Sequence, residues 1–197
     1  GQIRQKVGMV FQYPEDQVVA TTVAEDVAFG PENLGLPSAE IRQRVDEALT
    51  TVGLKEHENR PPHMLSGGQM QRLALAGVLA MRPKVVLFDE ATTMLDPAGR
   101  KMALEWMTRL HREAMTVVFI THHMEEAALA RRVVVLNEGR IALDGRPEEV
   151  FSDAQSLVKF GLGLPRPARF AERFRPWLGS MLPRPLHPED WISKLPT

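Results

Sequence analysis

The 197-residue sequence contains no cysteine. Disulfides, thiolate metal sites and thiol nucleophiles are therefore excluded, and the composition suits a reducing compartment. No apolar run approaches the ~20 residues that a membrane-spanning helix needs, and the first residues lack the apolar stretch of a signal peptide. Neither sign of charge dominates. Twenty-four Lys and Arg stand against 25 Asp and Glu, a formal −1, which argues against nucleic acid as a partner. What is present, 44% hydrophobic and 25% charged residues, is the composition of a folded domain rather than a disordered chain.

The charge is unevenly placed. Six Lys and Arg and three Asp and Glu fall in residues 161–197, giving that tail +3 and leaving −4 for residues 1–160. The tail also holds seven of the 15 prolines and two of the three tryptophans. Proline at that density predicts an irregular or short-helical extension, its basic residues forming a solvated face. The division expected is a domain over 1–160 and an extension over 161–197.

Within 1–160, strand and helix signals alternate. Val7-Gly8-Met9-Val10-Phe11, Val85-Val86-Leu87-Phe88 and Thr116-Val117-Val118-Phe119-Ile120 are short apolar runs. Such runs suit strands of a parallel sheet covered on both faces. Val133–Leu136 and Arg140–Leu143, separated by Asn137-Glu138-Gly139, predict a hairpin. Thr22 with Glu25 fits a capping box. Ser38 followed by Val45, Ala48, Leu49 and Val52 predicts an amphipathic helix stopped at Gly53, and Pro147 suits a first helical position. The fold class is α/β.

Chemistry concentrates at three places. Leu65-Ser66-Gly67-Gly68-Gln69 opens a helix through Ala80, with Ser66 at the N-cap and Gln69 at the third position. Two glycines in a first turn cost roughly 1 kcal/mol each against alanine. They permit close backbone approach by a ligand at a helix end that favours anions. Val85–Phe88 runs into Asp89-Glu90, two carboxylates at the C-terminal edge where α/β sheets bind ligands. Alternation along a strand sends adjacent side chains opposite ways, so one acid can hold Mg²⁺ and the other face an attacking water. The third place is the strand end at Thr121-His122. His123 beside it suggests a metal, but neighbours at a strand end do not converge on one ion, and no third histidine joins them. His57, His63, His111 and His187 form no ligand spacing.

In series, these features resemble the ATP-binding cassette (ABC) family, whose P-loop NTPase-type fold carries a helical subdomain, here about 35–82. The resemblance makes Leu65–Gln69 the signature, Asp89 the Walker B aspartate and Glu90 the catalytic carboxylate. It places Asp96 of Leu95-Asp96-Pro97 in the D-loop, His122 as the switch histidine and Gln12 as the Q-loop glutamine. Phe11–Gln17, Glu25–Leu36 and Glu90–Pro97 are similar to the ATPase subunits of energy-coupling-factor importers, which take up vitamins or cobalt and nickel ions. The resemblance implies ATP and Mg²⁺ as cofactors. It also implies a second ATPase subunit, a transmembrane coupling subunit and a substrate-binding membrane subunit as partners, at the cytoplasmic face of the membrane. Ser66, Gly67 and Gly68 would cap the partner's nucleotide, with Gln12, Gln69 and Asp96 also in the ATP site, Asp89 with Gln12 would organise Mg²⁺, Glu90 would polarise water and His122 would contact the γ-phosphate.

One family element is absent from these residues. A P-loop, Gly-x-x-x-x-Gly-Lys-Ser/Thr, is needed to cradle the phosphates. Gly30 and Gly35 have the glycine spacing, but Leu36 stands where Lys is required and the segment follows Gln12. The chain begins with Gly in a strand-like run, so the expectation is that an N-terminal segment of about 40–50 residues is missing, leaving apolar sheet surface uncovered. The alternative is a non-catalytic cassette that offers only its signature face to a competent partner.

Overall fold

The structure is a computed structural model that describes residue 3, residues 6–178 and residues 185–187. Two compact units divide the chain, one ending at Ile120 and the other beginning at Thr121.

The first unit is built on three strands, β1 (Val7–Val10), β2 (Val85–Asp89) and β3 (Thr116–Ile120), parallel and in that spatial order. Residues 3 and 6 lie in turns, so the strand starts at Val7 rather than at the first residue. Gly8 pairs with Val86 and Val86 with Val117, while Val10, Phe88 and Phe119 align one step on. These six residues share one sheet face, and it carries the core. Val10 and Val86 are fully buried, Phe88 nearly so, and Val117 and Phe119 pack against the same cluster.

Covering that face are α1 (Val23–Asn33), α2 (Ser38–Thr51) and α3 (Gly67–Ala80), which pack pairwise, with α3 also against β1. Thr22 caps α1 through the expected box with Glu25. Leu49, Leu54 and Leu73 are fully buried among these helices, each contributing about 1.5–3 kcal/mol by burial. Gly30 lies within α1, and Gly35 ends the following turn in the left-handed region at φ 70°. Neither is part of a phosphate-cradling loop. After β2, α4 (Pro97–Arg112) returns the chain and packs on β3.

The expectation that both sheet faces are covered does not hold at β3. Val118 and Ile120, which alternation places opposite Val117 and Phe119, are 43% and 49% exposed. The helices α1 to α3 gather on one face only, so the apolar residues of the second face keep contact with water.

The second unit contains α5 (Met124–Ala127), an antiparallel hairpin of β4 (Val133–Asn137) and β5 (Arg140–Gly145), α6 (Pro147–Val150), α7 (Ala154–Lys159) and α8 (Arg166–Leu178). Glu138 and Gly139 turn the hairpin with φ 49° and 73°, the left-handed pair that a two-residue turn demands. Val133, Val135, Val150, Phe151, Leu157 and Ala168 form its core. Of the two forms expected for the tail, irregular or short-helical, its first part takes the helical one. Pro165 precedes α8 and Pro167 sits in its first turn, where a missing N–H loses nothing, while Pro176 falls near the end of the 13 helical residues. The expectation for residues 179–184 and 188–197 lies outside the described residues.

Candidate functional site

At the C-terminal edge of the sheet, parallel pairing brings two chain segments to one rim. Val10 aligns with Phe88, so Gln12 follows β1 where Asp89 ends β2. Asp89 continues the alternation of Val85 and Leu87 and pairs with Ile120, which puts it on the open face. Among the described residues, no hydrogen bond engages the Asp89 carboxylate or the Gln12 amide, and both side chains are half-buried. An acid and an amide held this way offer free oxygens at a sheet edge.

Glu90 lies outside the strand. Its φ is 48°, the left-handed region that costs an L-residue roughly 1–2 kcal/mol. Its N–H donates to the carbonyl of Ile120 at 3.0 Å, and its own carbonyl accepts from the N–H of Thr93 at 3.0 Å. The neighbouring strand and the following turn thus enforce a conformation that glycine would adopt without strain. The divergence of Asp89 and Glu90 is set by this turn, not by the strand pleat used to anticipate it.

The second element is the start of α3. Ser66 Oγ accepts from the N–H of Gln69 at 3.3 Å, and Gln69 Oε1 accepts from the N–H of Ser66 at 2.8 Å. This reciprocal box is the one expected from sequence. A Cβ added to Gly67 or Gly68 would meet nothing within 4 Å, so the backbone of the first turn is open to an incoming group. Arg72 anchors the helix from behind, its Nη1 donating to the carbonyls of Val52 at 3.2 Å and Gly53 at 3.3 Å. Gly68, Phe88, Leu95, Gly99 and Trp106 line one apolar cavity, which puts α3 beside the segment after Glu90. There Asp96 is committed as an N-cap, its Oδ1 accepting from the N–H of Gly99 at 2.8 Å.

His122 belongs to the second unit, two residues past β3, and is exposed with its ring 4.2 Å from that of His123. Thr121 fixes this segment. Its hydroxyl donates to Oε2 of the buried Glu126 at 2.6 Å and accepts from the N–H of His123 at 3.0 Å. The first unit therefore carries Gln12, Ser66, Gly67, Gly68, Gln69, Asp89, Glu90 and Asp96, and the second carries His122.

Three supports escaped the sequence reading. Gln17 braces the loop of Gln12, accepting from the N–H of Phe11 at 3.0 Å and donating to the carbonyl of Met9 at 3.1 Å. Asp26 accepts from the N–H groups of Val19 at 2.8 Å and Ala20 at 3.3 Å, and burial pushes its carboxyl up from the ordinary range. His57 touches Gln69 across 2.9 Å. Each acts over 6 to 12 residues, a range at which a polar side chain in a loop carries no periodic signal.

Residues 1–93 match the family model described as ABC transporter. The chain is 58% identical over 183 residues to the energy-coupling factor transporter ATP-binding protein EcfA1 of Symbiobacterium thermophilum, covering 92% of this chain and 63% of that protein. It is 56% identical over 164 residues to EcfA1 of Clostridioides difficile, covering 83% and 59%. The solved structure of cbiO1 from Clostridium perfringens, described as part of the ABC transporter complex cbiONQ, matches with a TM-score of 0.72 and 38% identity, covering 88% of this chain and 69% of that one. The chain spans 63% of the length of the first of these curated relatives.

Proposed function

We propose, from the premise that the chain belongs to the ABC transporter family of ATP-binding proteins, that it is the greater part of an ATP-hydrolysing subunit of an energy-coupling-factor-type importer. The observation that carries this reading is the rim of β2. An unengaged Asp89 precedes a Glu90 held left-handed by backbone bonds to β3 and to its own turn. Backbone strain retained at a carboxylate points to a use for that carboxylate.

The residues present fit a magnesium–nucleotide ligand. Mg²⁺ takes few protein ligands and prefers oxygen, and the free oxygens of Asp89 and Gln12 supply that donor set. Gly67 and Gly68 leave room for close approach at a helix N-terminus, which favours phosphate. The bound metal would neutralise charge on the phosphate oxygens during transfer. Glu90 orients a water and takes its proton. His122 donates a hydrogen bond toward the terminal phosphate, and Ser66 with the two glycines closes on the nucleotide of a second cassette. Gln12, in a loop tied to β1 by Gln17, relays closure to a transmembrane coupling subunit. Catalysis in this scheme is positioning plus electrostatics.

No Gly-x-x-x-x-Gly-Lys-Ser/Thr stands in these 197 residues, so the grip on the β- and γ-phosphates comes from residues outside them. No helix of the described residues is long and apolar enough to cross a membrane. Attachment at the cytoplasmic face would then run through partner subunits, a membrane substrate-binding subunit among them, with a vitamin or a cobalt or nickel ion as cargo. The pairing step is testable with Ser66→Arg in the full-length protein, which places a long cation on the open helix end. ATP-driven pairing of two cassettes, followed by size-exclusion chromatography, should be lost. Unchanged pairing would overturn the role of this face.

A further inference from the structure

The hydrogen bond between Gln69 and His57 decides the chemistry of both side chains. The N–H of Ser66 can only donate, so the Gln69 atom 2.8 Å from it is the carbonyl oxygen. The other end of the amide, Nε2, is therefore the atom 2.9 Å from His57 Nε2. An amide nitrogen only donates. His57 Nε2 must accept, which requires a neutral ring with its proton on Nδ1. That Nδ1 is buried and has no hydrogen-bond partner.

An unpaired buried N–H is a liability, and an apolar ring would fill the same space without it. Among the described residues, the one hydrogen bond made by the imidazole is to Gln69. His57 ends a short 3₁₀ turn, Lys55–His57, that packs against α2. The bond thus ties the segment after α2 to the first turn of α3. With both ends engaged, the Gln69 amide can neither flip nor swing without breaking a bond at each end.

We propose that His57 is a positioning residue for the signature turn, acting as an Nδ1-protonated, neutral acceptor that fixes the amide of Gln69 and through it the start of α3. Its consequence for turnover rests on the reading of Ser66–Gln69 as the face that closes on a partner's nucleotide. The placement itself does not rest on it.

The test is nitrogen NMR of the purified protein at neutral pH, with the histidine ring and glutamine amide nitrogens labelled. Wild-type His57 should be protonated at Nδ1 and bare at Nε2, with coupling across the hydrogen bond to the Gln69 amide. Gln69→Glu removes the donor and supplies an acceptor, so the ring proton should move to Nε2. His57→Phe should lose the cross-bond coupling together with the hydrogen-bonded shift of the Gln69 amide protons, and His57→Gln, whose amide oxygen reaches the position of Nε2 and can accept in its place, should restore that shift. A wild-type ring protonated at Nε2, or a proton position unchanged in Gln69→Glu, overturns the proposal. In a complex with a competent partner cassette, His57→Phe should lower ATP turnover about five-fold, the worth of one hydrogen bond, and His57→Gln should recover it. A wild-type protein with the stated proton position that supports no turnover supports the positioning and overturns the function reading.

Discussion

Gly8→Ala tests how tightly α3 is seated on the sheet. Gly8 sits in β1, and a Cβ there would lie well under 3.0 Å from Cγ1 of Val78 in α3, with Cγ of Pro83 at 3.4 Å. Carbon atoms reach their energy minimum near 3.5–4.0 Å, so one of the two elements must move. Val78 is 6% exposed and cannot turn its methyl into water. Overpacking of this kind costs about 1–3 kcal/mol. Val78→Ala alone removes two carbons from the core and should cost about 2 kcal/mol, from lost burial plus the cavity. In the double variant the new methyl occupies the space vacated by Cγ1. The combined loss should then fall short of the sum by about 1–2 kcal/mol. Urea unfolding of the four proteins gives the coupling energy directly. Additive losses, within about 0.5 kcal/mol, would show that α3 does not rest on β1 through this contact.

Further outcomes follow from other contacts. Ser66→Ala removes one half of the capping box and should cost about 1 kcal/mol in the same unfolding assay. Thr121→Val takes the hydroxyl from Glu126, which is 2% exposed, and should destabilise by about 1–3 kcal/mol while shifting the ring resonances of His122 and His123. At Glu90, valine should be less stable than glycine by about 2 kcal/mol, because a β-branched residue resists a φ of 48°. Hydrogen bonds from Thr21 and Thr22 hold the Glu25 carboxyl below its ordinary 4.5. A depressed carboxyl stabilises the fold above its unfolded value and loses that contribution as pH falls through its folded value. Glu25→Gln should therefore flatten the loss of stability below pH 4.5, and an unchanged acid limb in urea titrations would contradict the assignment.

Much of this was legible from local rules. β3, α3 and the hairpin turn fall where apolar runs, a capping box and Asn-Glu-Gly placed them, because each is decided within a few residues. Thr22 and Glu25 found their box for the same reason. The open face of β3 was legible only through the absent P-loop, which led to the expectation of uncovered apolar sheet surface; by their own pattern Val118 and Ile120 read as a covered strand. For the tail, proline density left irregular and short-helical structure both open, because density ignores position: Pro167 in a first turn is harmless, and α8 is a helix. At the site, Asp89 and Glu90 were found, but the left-handed backbone of Glu90 depends on Ile120, 30 residues away in sequence. His57 was set aside as a histidine without ligand spacing. Its partner is an amide, so no metal-ligand pattern could have revealed it.

The central claim is that Glu90 handles the water that attacks a bound nucleotide. The direct measurement is ATP turnover and ATP binding by full-length protein carrying Glu90→Gln, assembled with its partner subunits. A positioned base is worth about 10²–10⁴-fold, so turnover should fall at least about 100-fold with nucleotide affinity retained. Hydrolysis at the wild-type rate in that variant would contradict the account.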